Sequence, residues 1–205
     1  AKKNITVNCV SPGFIVSEMT DAIAEKVKLN LISRIPMAKL GTADDVSNIV
    51  SWVKYPDIGK RGYGIARAQQ YGHNFDNYVR DWNNESLIFI QIESINAVNN
   101  LQSIINNEFI DCVIIGPYDI SGSLGVPGQI NHKKVKAASR KVLNICKKFG
   151  KSCGIHIPSV SSSALNKSIS DGFNFIILSS DVFILRDWAI EVNNISKKWL
   201  TKRKK

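Results

Sequence analysis

The sequence contains no uninterrupted apolar run of about 18 residues, the length that a helix needs to cross a bilayer. Its longest apolar stretches are Phe173 to Leu178 and Val182 to Leu185. The first residues also lack the apolar core and the small-residue cleavage site of a secretory signal. These absences predict a protein that does not act in a membrane and that is located in the cytoplasm.

Cysteine is scarce, and no two of the four cysteines have the CxxC or CxxH spacing of zinc sites and redox motifs. At least Cys9, Cys112 and Cys153 lie in apolar segments of strand length, and the fourth is Cys146. Free cysteine in such segments behaves as a small buried hydrophobic residue. The sequence therefore predicts buried, reduced thiols and neither disulfides nor a structural zinc site.

Acidic residues are outnumbered, since 27 Lys and Arg face 17 Asp and Glu and the formal net charge is +10. Clustered positive charge can neutralise nucleic-acid phosphates. Here the basic residues are spread along amphipathic segments, apart from one C-terminal cluster formed by Lys197, Lys198 and residues 202–205. We therefore expect a solvated tail. Nucleic-acid binding through this C-terminal cluster is the alternative interpretation.

From residue 54 onwards, apolar runs rich in β-branched residues alternate with helical patterns. The predicted strands are Leu87–Ile92, Cys112–Ile115, Cys153–Ile157 and Phe173–Leu178, and the predicted helices span 94–105, 132–149, 161–171 and 188–200. Continuous apolar strands between helices indicate parallel β/α units that are buried on both faces. The predicted fold class is α/β, with the last four β/α units of a partial eight-stranded TIM-type barrel.

The first 53 residues have a different pattern, with a strand over 4–10, helices over 17–35 and a helix that begins at Thr42. Two stretches, Asn4–Ile15 and Ile35–Val46, resemble the late strand and substrate loop of short-chain dehydrogenase/reductases. The resemblance covers residues 3–52 and predicts two segments, a dehydrogenase-like piece over 1–53 and a half barrel over 54–205. An NAD(P)-dependent reductase is not expected, because the chain lacks that family's Gly-rich cofactor loop and Tyr-x-x-x-Lys pair.

A second resemblance runs from residue 54 to the C-terminus. It begins at Lys54–Gly64, whose tyrosine, proline, arginine and glycines follow the pattern YPP-x-G-x-RG-x-G, and it continues through Gln91-Ile92-Glu93 and Gly116-Pro117-Tyr118-Asp119-Ile120-Ser121. These motifs, at this spacing, resemble the HpcH/HpaI family of metal-dependent oxo-acid aldolases. The resemblance implies a carbon–carbon lyase that cleaves a 4-hydroxy-2-oxo acid into pyruvate and an aldehyde.

Two carboxylates of these motifs follow neighbouring predicted strands. Glu93 closes one strand and Asp119 comes after the next, so both are expected at the carboxyl ends of parallel strands, where barrel enzymes build their sites. Two carboxylates there would suit a hard divalent cation such as Mg²⁺ or Mn²⁺, with Co²⁺ as a further candidate. The alternative is that each carboxylate only caps the helix that follows its strand.

The family resemblance also implies the remaining contacts. Gln91 would donate a hydrogen bond to the bound oxo-acid, and the backbone of Gly116, Pro117 and Tyr118 would contact its carboxylate. His156 is expected to be a packed, hydrogen-bonded residue without a catalytic role. Most of the lysines are expected on polar helix faces and not inside strands, which argues against a Schiff base. No catalytic acid or base is assigned, because four preceding β/α units would carry it in a complete family member.

That incomplete barrel leaves alternatives open. An aldolase-type lyase would be impaired unless oligomerisation or a partner chain restored the site, and exposed apolar surface favours a homo-oligomer. The chain could also be a non-catalytic fusion or truncation product of adjacent dehydrogenase and aldolase genes. A third alternative is a basic binding module that acts through the C-terminal tail.

Overall fold

A computed structural model describes the backbone of residues 7–10, 29 and 43–202, and the side chains of residues 29 and 45–200. The predicted helices over 17–35, the predicted N-cap Thr42 and the Ser11-Pro12-Gly13 loop lie outside the described residues, apart from residue 29. Among the described residues, no helix combines the length and the apolar character that membrane crossing requires. The chain forms two compact units, residues 1–153 and residues 154–205.

The described elements alternate strand and helix along most of the chain. In order they are β1 (Val7–Val10), α1 (Ala43–Val53), a 3₁₀ segment (Arg67–Gly72), α2 (Phe75–Glu85), β2 (Leu87–Ile92), α3 (Ile95–Asn99), α4 (Leu101–Ile105), β3 (Cys112–Ile115), α5 (Pro117–Ser123), α6 (Lys133–Lys148), β4 (Ser152–Ile157), α7 (Ser162–Asp171), β5 (Phe175–Leu178) and α8 (Asp181–Lys202).

In the first unit, β1, β2 and β3 form adjacent parallel strands. Val7 is in register with Leu87, and Ile92 is in register with Ile115. All four residues of β3 are buried, as are most residues of β2, so both faces of these strands are covered, as their continuous apolar sequence predicts. This part of the structure confirms the predicted α/β class with a parallel sheet.

Helices cover the sheet of the first unit through apolar faces. In α6 the buried side chains recur at helical spacing and are Val135, Ala138, Val142, Ile145 and Cys146. The predicted helix over 94–105 is divided into α3 and α4 at Asn100. Both short helices contribute fully buried side chains, so the division does not interrupt the apolar core.

The motif that begins at residue 54 ties α1 to α2. Lys54 is only 3% exposed, and its ammonium donates three hydrogen bonds of 2.8 Å, to the carbonyl oxygens of Asn83 and Ser86 and to the Ser86 hydroxyl. Burial lowers the pKa of Lys54, while the nearby Asp111 carboxylate acts in the opposite direction. Lys54 is an exception to the expectation that most lysines lie on polar helix faces, because its ammonium is bound by acceptors at the end of α2.

The arginine and tyrosines of the same motif form an aromatic cluster. The Arg61 guanidinium lies 3.8 Å from the Trp82 ring centre, and the rings of Tyr55 and Tyr63 stack with centres 4.9 Å apart. The Trp82 indole nitrogen donates to the carbonyl of Val53 at 2.7 Å. These contacts fix the chain between α1 and α2, so this part of the family motif has a structural role here.

The second unit contains the parallel pair β4 and β5, in which His156 is in register with Ile177. Ser161 caps α7, as its hydroxyl accepts a hydrogen bond from the Ala164 amide at 3.1 Å. The His156 ring lies 5.7 Å from the Phe183 ring, but its buried Nε2 has no hydrogen-bond partner in the described structure. His156 is thus packed as expected, while the expected hydrogen bond is not found at Nε2.

The described cysteines agree with the prediction of reduced thiols. Cys112, Cys146 and Cys153 are free and buried. A hydrogen bond with Cys153 lowers the pKa of Cys146. The side chain of Cys9 lies outside the described residues.

The predicted boundary between residues 53 and 54 differs from the division into compact units. β1 belongs to the N-terminal segment, yet it pairs with β2 in one sheet. The predicted division into segments 1–53 and 54–205 was based on sequence resemblance, and it stays a prediction.

Candidate functional site

Two polar side chains come from the carboxyl end of β2. Gln91 is the next-to-last residue of the strand, and Glu93 follows its last residue, Ile92. Residues two positions apart in an extended chain point to the same face. The Gln91 amide nitrogen donates a 2.6 Å hydrogen bond to Glu93 Oε1, so the strand presents the two side chains as a connected pair.

Asp119 is positioned by the neighbouring strand. β3 ends at Ile115, the backbone amide of Gly116 continues the ladder by donating to the Ile92 carbonyl at 2.9 Å, and Pro117 begins α5. Proline is favoured at the first helical position because its fixed φ suits the helix and no amide hydrogen is lost. Asp119 therefore lies in the first turn of α5, immediately beyond the end of β3.

The two carboxylates converge on Gly116. An ideal Cβ built on Gly116 would lie 2.8 Å from Glu93 Cγ, 3.4 Å from Glu93 Oε1 and 3.6 Å from Asp119 Oδ2. These two oxygens are consequently no more than about 7 Å apart, since both lie within 4 Å of that Cβ position. A glycine is required at this position because any side chain would occupy the space that Glu93 uses.

Neither carboxylate caps the helix that follows its strand. Ser94 is the N-cap of α3, and its hydroxyl accepts a hydrogen bond from the Ala97 amide at 3.1 Å. Gly116 occupies the N-cap position of α5, so Asp119 lies inside the helix. The structure therefore does not show Glu93 or Asp119 in the N-cap position that the alternative assigned to them.

The remaining predicted contact residues lie beside this pair. Gly116 is buried, Pro117 is partly buried and Tyr118 is 59% exposed. The Tyr118 carbonyl accepts a 2.5 Å hydrogen bond from the buried Ser121 hydroxyl, whose oxygen in turn accepts from the Gly128 amide at 2.9 Å. The final serine of the Gly-Pro-x-Asp-x-Ser motif thus holds the loop after α5, a role that the sequence analysis did not assign.

The pair has the composition of a hard-cation site. In the described part of the chain, no group of three or more His, Cys, Asp and Glu side chains has the arrangement of a metal centre. Mg²⁺ in enzymes is commonly held by one or two carboxylates, with water and substrate oxygens completing its octahedron. Glu93 and Asp119 supply that number of carboxylates beside Gly116.

Comparisons with known proteins give this arrangement a family context. The chain is 34% identical over 152 residues to a 2-keto-3-deoxy-L-rhamnonate aldolase of Klebsiella pneumoniae, covering 73% of this chain and 55% of the relative. It is also 34% identical over 155 residues to the protein of that name in Escherichia coli, covering 75% of this chain and 56% of the relative. The chain thus spans about half the length of the curated relatives it matches.

Solved structures show the same fold. An HpcH/HpaI aldolase of Desulfitobacterium hafniense superposes with a TM-score of 0.68 at 24% identity, over 86% of this chain and 80% of the other. An HpcH/HpaI aldolase/citrate lyase family protein of Burkholderia cenocepacia superposes with a TM-score of 0.67 at 28% identity, over 76% of this chain and 62% of the other.

A model of one family matches residues 2–187, which includes most of the segment compared above with dehydrogenases. The comparisons contain no evidence for a dehydrogenase fragment at residues 3–52. The match confirms the predicted resemblance to the HpcH/HpaI family over a stretch that includes Glu93 and Asp119. This chain belongs to the HpcH/HpaI aldolase/citrate lyase family.

Proposed function

We propose that this chain carries the cation-binding and oxo-acid-binding part of a divalent-metal-dependent lyase, which cleaves a 4-hydroxy-2-oxo acid into pyruvate and an aldehyde. The observation that carries the proposal is the convergence of Glu93 and Asp119 on the Gly116 Cα. Membership of an aldolase family supports the lyase class. Mg²⁺, Mn²⁺ and Co²⁺ are the proposed cations because the two ligands are hard carboxylate oxygens.

Different residues of the chain would bind the cation, position its ligands and contact the oxo-acid. Glu93 and Asp119 would bind the cation, and Gln91 would orient Glu93 through the 2.6 Å hydrogen bond that it already donates to Oε1. The backbone from Gly116 to Tyr118 would contact the oxo-acid carboxylate. When bound, a divalent cation supplies Lewis-acid stabilisation of the negative charge that develops on the oxo-acid oxygen during carbon–carbon cleavage.

We propose 2-keto-3-deoxy sugar acids as the substrate class. The relatives above are named as aldolases of 2-keto-3-deoxy-L-rhamnonate. Such acids have a 2-oxo group beside the carboxylate and a hydroxyl at C4, the arrangement that retro-aldol cleavage requires. The contacts proposed here recognise only the oxo-acid end, so they do not select among the aldehydes that are released.

The proposal predicts metal-dependent release of pyruvate. With Mn²⁺ present, the purified chain should release pyruvate from 4-hydroxy-2-oxo acids, and EDTA should lower the rate about 100-fold or more, because two carboxylates alone cannot stabilise developing negative charge. A coupled lactate dehydrogenase assay measures the pyruvate.

Each outcome of that assay has a clear meaning. Pyruvate release that is unchanged by EDTA would contradict the metal dependence. No release above a blank that contains metal without protein would contradict the lyase proposal.

Gly116 provides a second prediction, on geometry. In Gly116→Ala the new methyl group would meet Glu93 Cγ at 2.8 Å and displace the carboxylate, so we expect Mn²⁺ affinity to fall about tenfold, within the range for disturbed metal-ligand orientation. The backbone at Gly116 has φ −99° and ψ 83°, which alanine tolerates, so loss of affinity would not reflect backbone strain.

Gly122→Ala is the matched control for that variant. It adds the same methyl group in α5, where nothing lies within 4 Å of the new atom. Isothermal titration with Mn²⁺ should show affinity unchanged in Gly122→Ala and reduced in Gly116→Ala. Equal affinities in both variants would show that the position of Glu93 does not matter for the cation.

A further inference from the structure

The helix α6 carries a high density of positive charge. Seven of its 16 residues are Lys or Arg, and none is Asp or Glu. All seven are exposed, whereas most of the apolar residues of the helix are buried. The seven are Lys133, Lys134, Lys136, Arg140, Lys141, Lys147 and Lys148. We call this exposed side of the helix the α6 basic face.

Neighbouring elements do not neutralise the α6 basic face. None of its seven side chains forms an ion pair within the described residues 45–200. The elements α3, α4, α5 and β3 pack against α6, and Asp119 is the one acidic residue that they contain. Lys141 Nζ instead donates a 2.6 Å hydrogen bond to the neutral Asn99 Oδ1. The positive charges are therefore available to an external anion.

The same charges disfavour the helix on which they lie. Cations near a helix N-terminus oppose the helix dipole, and the first turn of α6 contains Lys133, Lys134 and Lys136. Its N-cap is the His132 imidazole, which accepts a hydrogen bond from the Lys134 amide at 3.2 Å. Lys136 and Arg140 are four residues apart, a spacing at which like charges repel each other. A bound polyanion would relieve both unfavourable interactions.

The helical period arranges most of these cations in two rows. Residues four or seven positions apart lie on the same side of a helix. One row consists of Lys136, Arg140 and Lys147, and the other of Lys134, Lys141 and Lys148. Ala137 and Asn144 lie between the rows and are exposed. At a rise of 1.5 Å per residue, the second row extends for about 21 Å. The face thus presents two lines of cations along a channel of small, uncharged side chains.

This arrangement fits duplex DNA better than a membrane surface. Helices that bind membrane surfaces place large apolar side chains in the lipid. No large apolar side chain of α6 is exposed, because they pack in the core. DNA instead offers two lines of phosphates, one along each side of its major groove, and that groove is wide enough for a helix. Contacts to phosphates require no recognition of the bases.

We propose that the α6 basic face is a sequence-independent binding surface for duplex DNA, in which its two rows contact the phosphates of the two strands that border one groove. This surface is distinct from the C-terminal basic cluster considered in the sequence. The proposal is also independent of the proposed lyase activity, because none of the seven residues belongs to the proposed cation or oxo-acid site.

Fluorescence anisotropy of the full chain with a labelled DNA duplex tests the proposal. The dissociation constant should be micromolar at low salt. A plot of the logarithm of the binding constant against the logarithm of the NaCl concentration should have a slope between about −3.5 and −6, the value for about four to seven phosphate contacts. The single strand of the same sequence should bind more weakly, because it offers one line of phosphates.

Removal of one row separates α6 from general charge effects. Lys136→Gln/Arg140→Gln/Lys147→Gln should raise the dissociation constant about tenfold or more and make the salt slope shallower by about three. Glutamine is a good helix former, so the circular dichroism and thermal unfolding should be retained. The matched control is Lys60→Gln/Lys197→Gln/Lys198→Gln, which removes three charges from exposed residues outside α6. It should change the dissociation constant by less than about twofold, because salt screens distant charges.

Four outcomes would overturn the proposal. A chain that does not bind the duplex at low salt would exclude this surface as a DNA site. Equal weakening in the two triple variants, or a larger effect in the control, would place the binding outside α6. Tighter binding of the single strand than of the duplex would contradict the two-row contact. Binding to phosphatidylserine vesicles but not to DNA, with loss in the α6 variant, would identify a membrane surface as the partner instead.

Discussion

The Mn²⁺ affinity of the chain should fall about 100-fold or more in the single variant Glu93→Gln, and likewise in the single variant Asp119→Asn, because each substitution removes one of the two carboxylate ligands. Even changes that only disturb the orientation of a metal ligand commonly cost 10- to 100-fold in affinity. The two effects should not add in the double variant, since the cation loses its protein ligands as one unit. The loss of the Mn²⁺ electron paramagnetic resonance signal on binding gives the free and bound fractions directly.

Two exposed carboxylates of the same unit are controls for that experiment. The control variants are Glu108→Gln, at a residue in the turn before β3, and Asp76→Asn, at a residue in the first turn of α2. Both remove the same charge as the test variants, so they report any general effect of net charge on cation binding. An affinity that is equal in all four variants would show that the convergence of Glu93 and Asp119 does not form the cation site.

Substitution of Gln91 in the same assay distinguishes a residue that binds the cation from one that positions a ligand. It donates to Glu93 Oε1, so its substitution is expected to weaken Mn²⁺ binding less than removal of Glu93 itself. The family resemblance implies a different role, donation to the bound oxo-acid. The observed hydrogen bond shows that one amide hydrogen has a protein acceptor, and a Gln91 amide carries two.

The strands of the sheet were the most predictable part of the fold. β2 and β3 have the bounds that their apolar runs predict, because strands buried on both faces consist mostly of apolar residues. Glu93 and Asp119 could be placed for the same reason, since each comes directly after one of these strands. The order of strands along the chain then put them at one end of a parallel sheet.

The short or polar elements were not predictable in the same way. α2 was not predicted, although Phe75, Tyr78, Val79 and Trp82 recur at helical spacing in its sequence. Of its eleven residues only Trp82 is buried. α5 is seven residues long and contains a glycine and two serines, so its helix depends on Pro117 and on the packing of Ile120. The role of Gly116 was also hidden, because it depends on how closely Glu93 approaches from a neighbouring strand.

Lys54 shows the limit of reasoning from residue type. Lysines are almost always exposed, and a lysine that follows an amphipathic helix is expected in solvent. Here the end of α2 presents two carbonyl oxygens and one hydroxyl that match the three donors of an ammonium group. That match requires two segments about 30 residues apart in the sequence to be in contact, which no local pattern reports.

Lys54→Met is therefore expected to lower the free energy of unfolding by about 3 kcal/mol, because it leaves three acceptors around a buried side chain without their donor. Methionine keeps the length and apolar stem of lysine, so the loss would reflect the hydrogen bonds and charge more than the packing. Urea denaturation followed by tryptophan fluorescence measures the change. Lys60→Met is the control, since Lys60 is exposed and its substitution should change the free energy by less than about 0.5 kcal/mol.

The pH dependence of the same variants separates the buried ammonium from its neighbours. Burial lowers the pKa of Lys54 below its ordinary value of 10.5, so the unfolded chain holds this proton more tightly than the folded chain. The penalty is fully present below the folded pKa, and the free energy of unfolding should rise as the pH increases from that value towards 10.5. Lys60→Met should retain this rise and Lys54→Met should lose it. Identical pH profiles in the two variants would contradict a perturbed ammonium at Lys54 and leave its hydrogen bonds as the whole of its contribution.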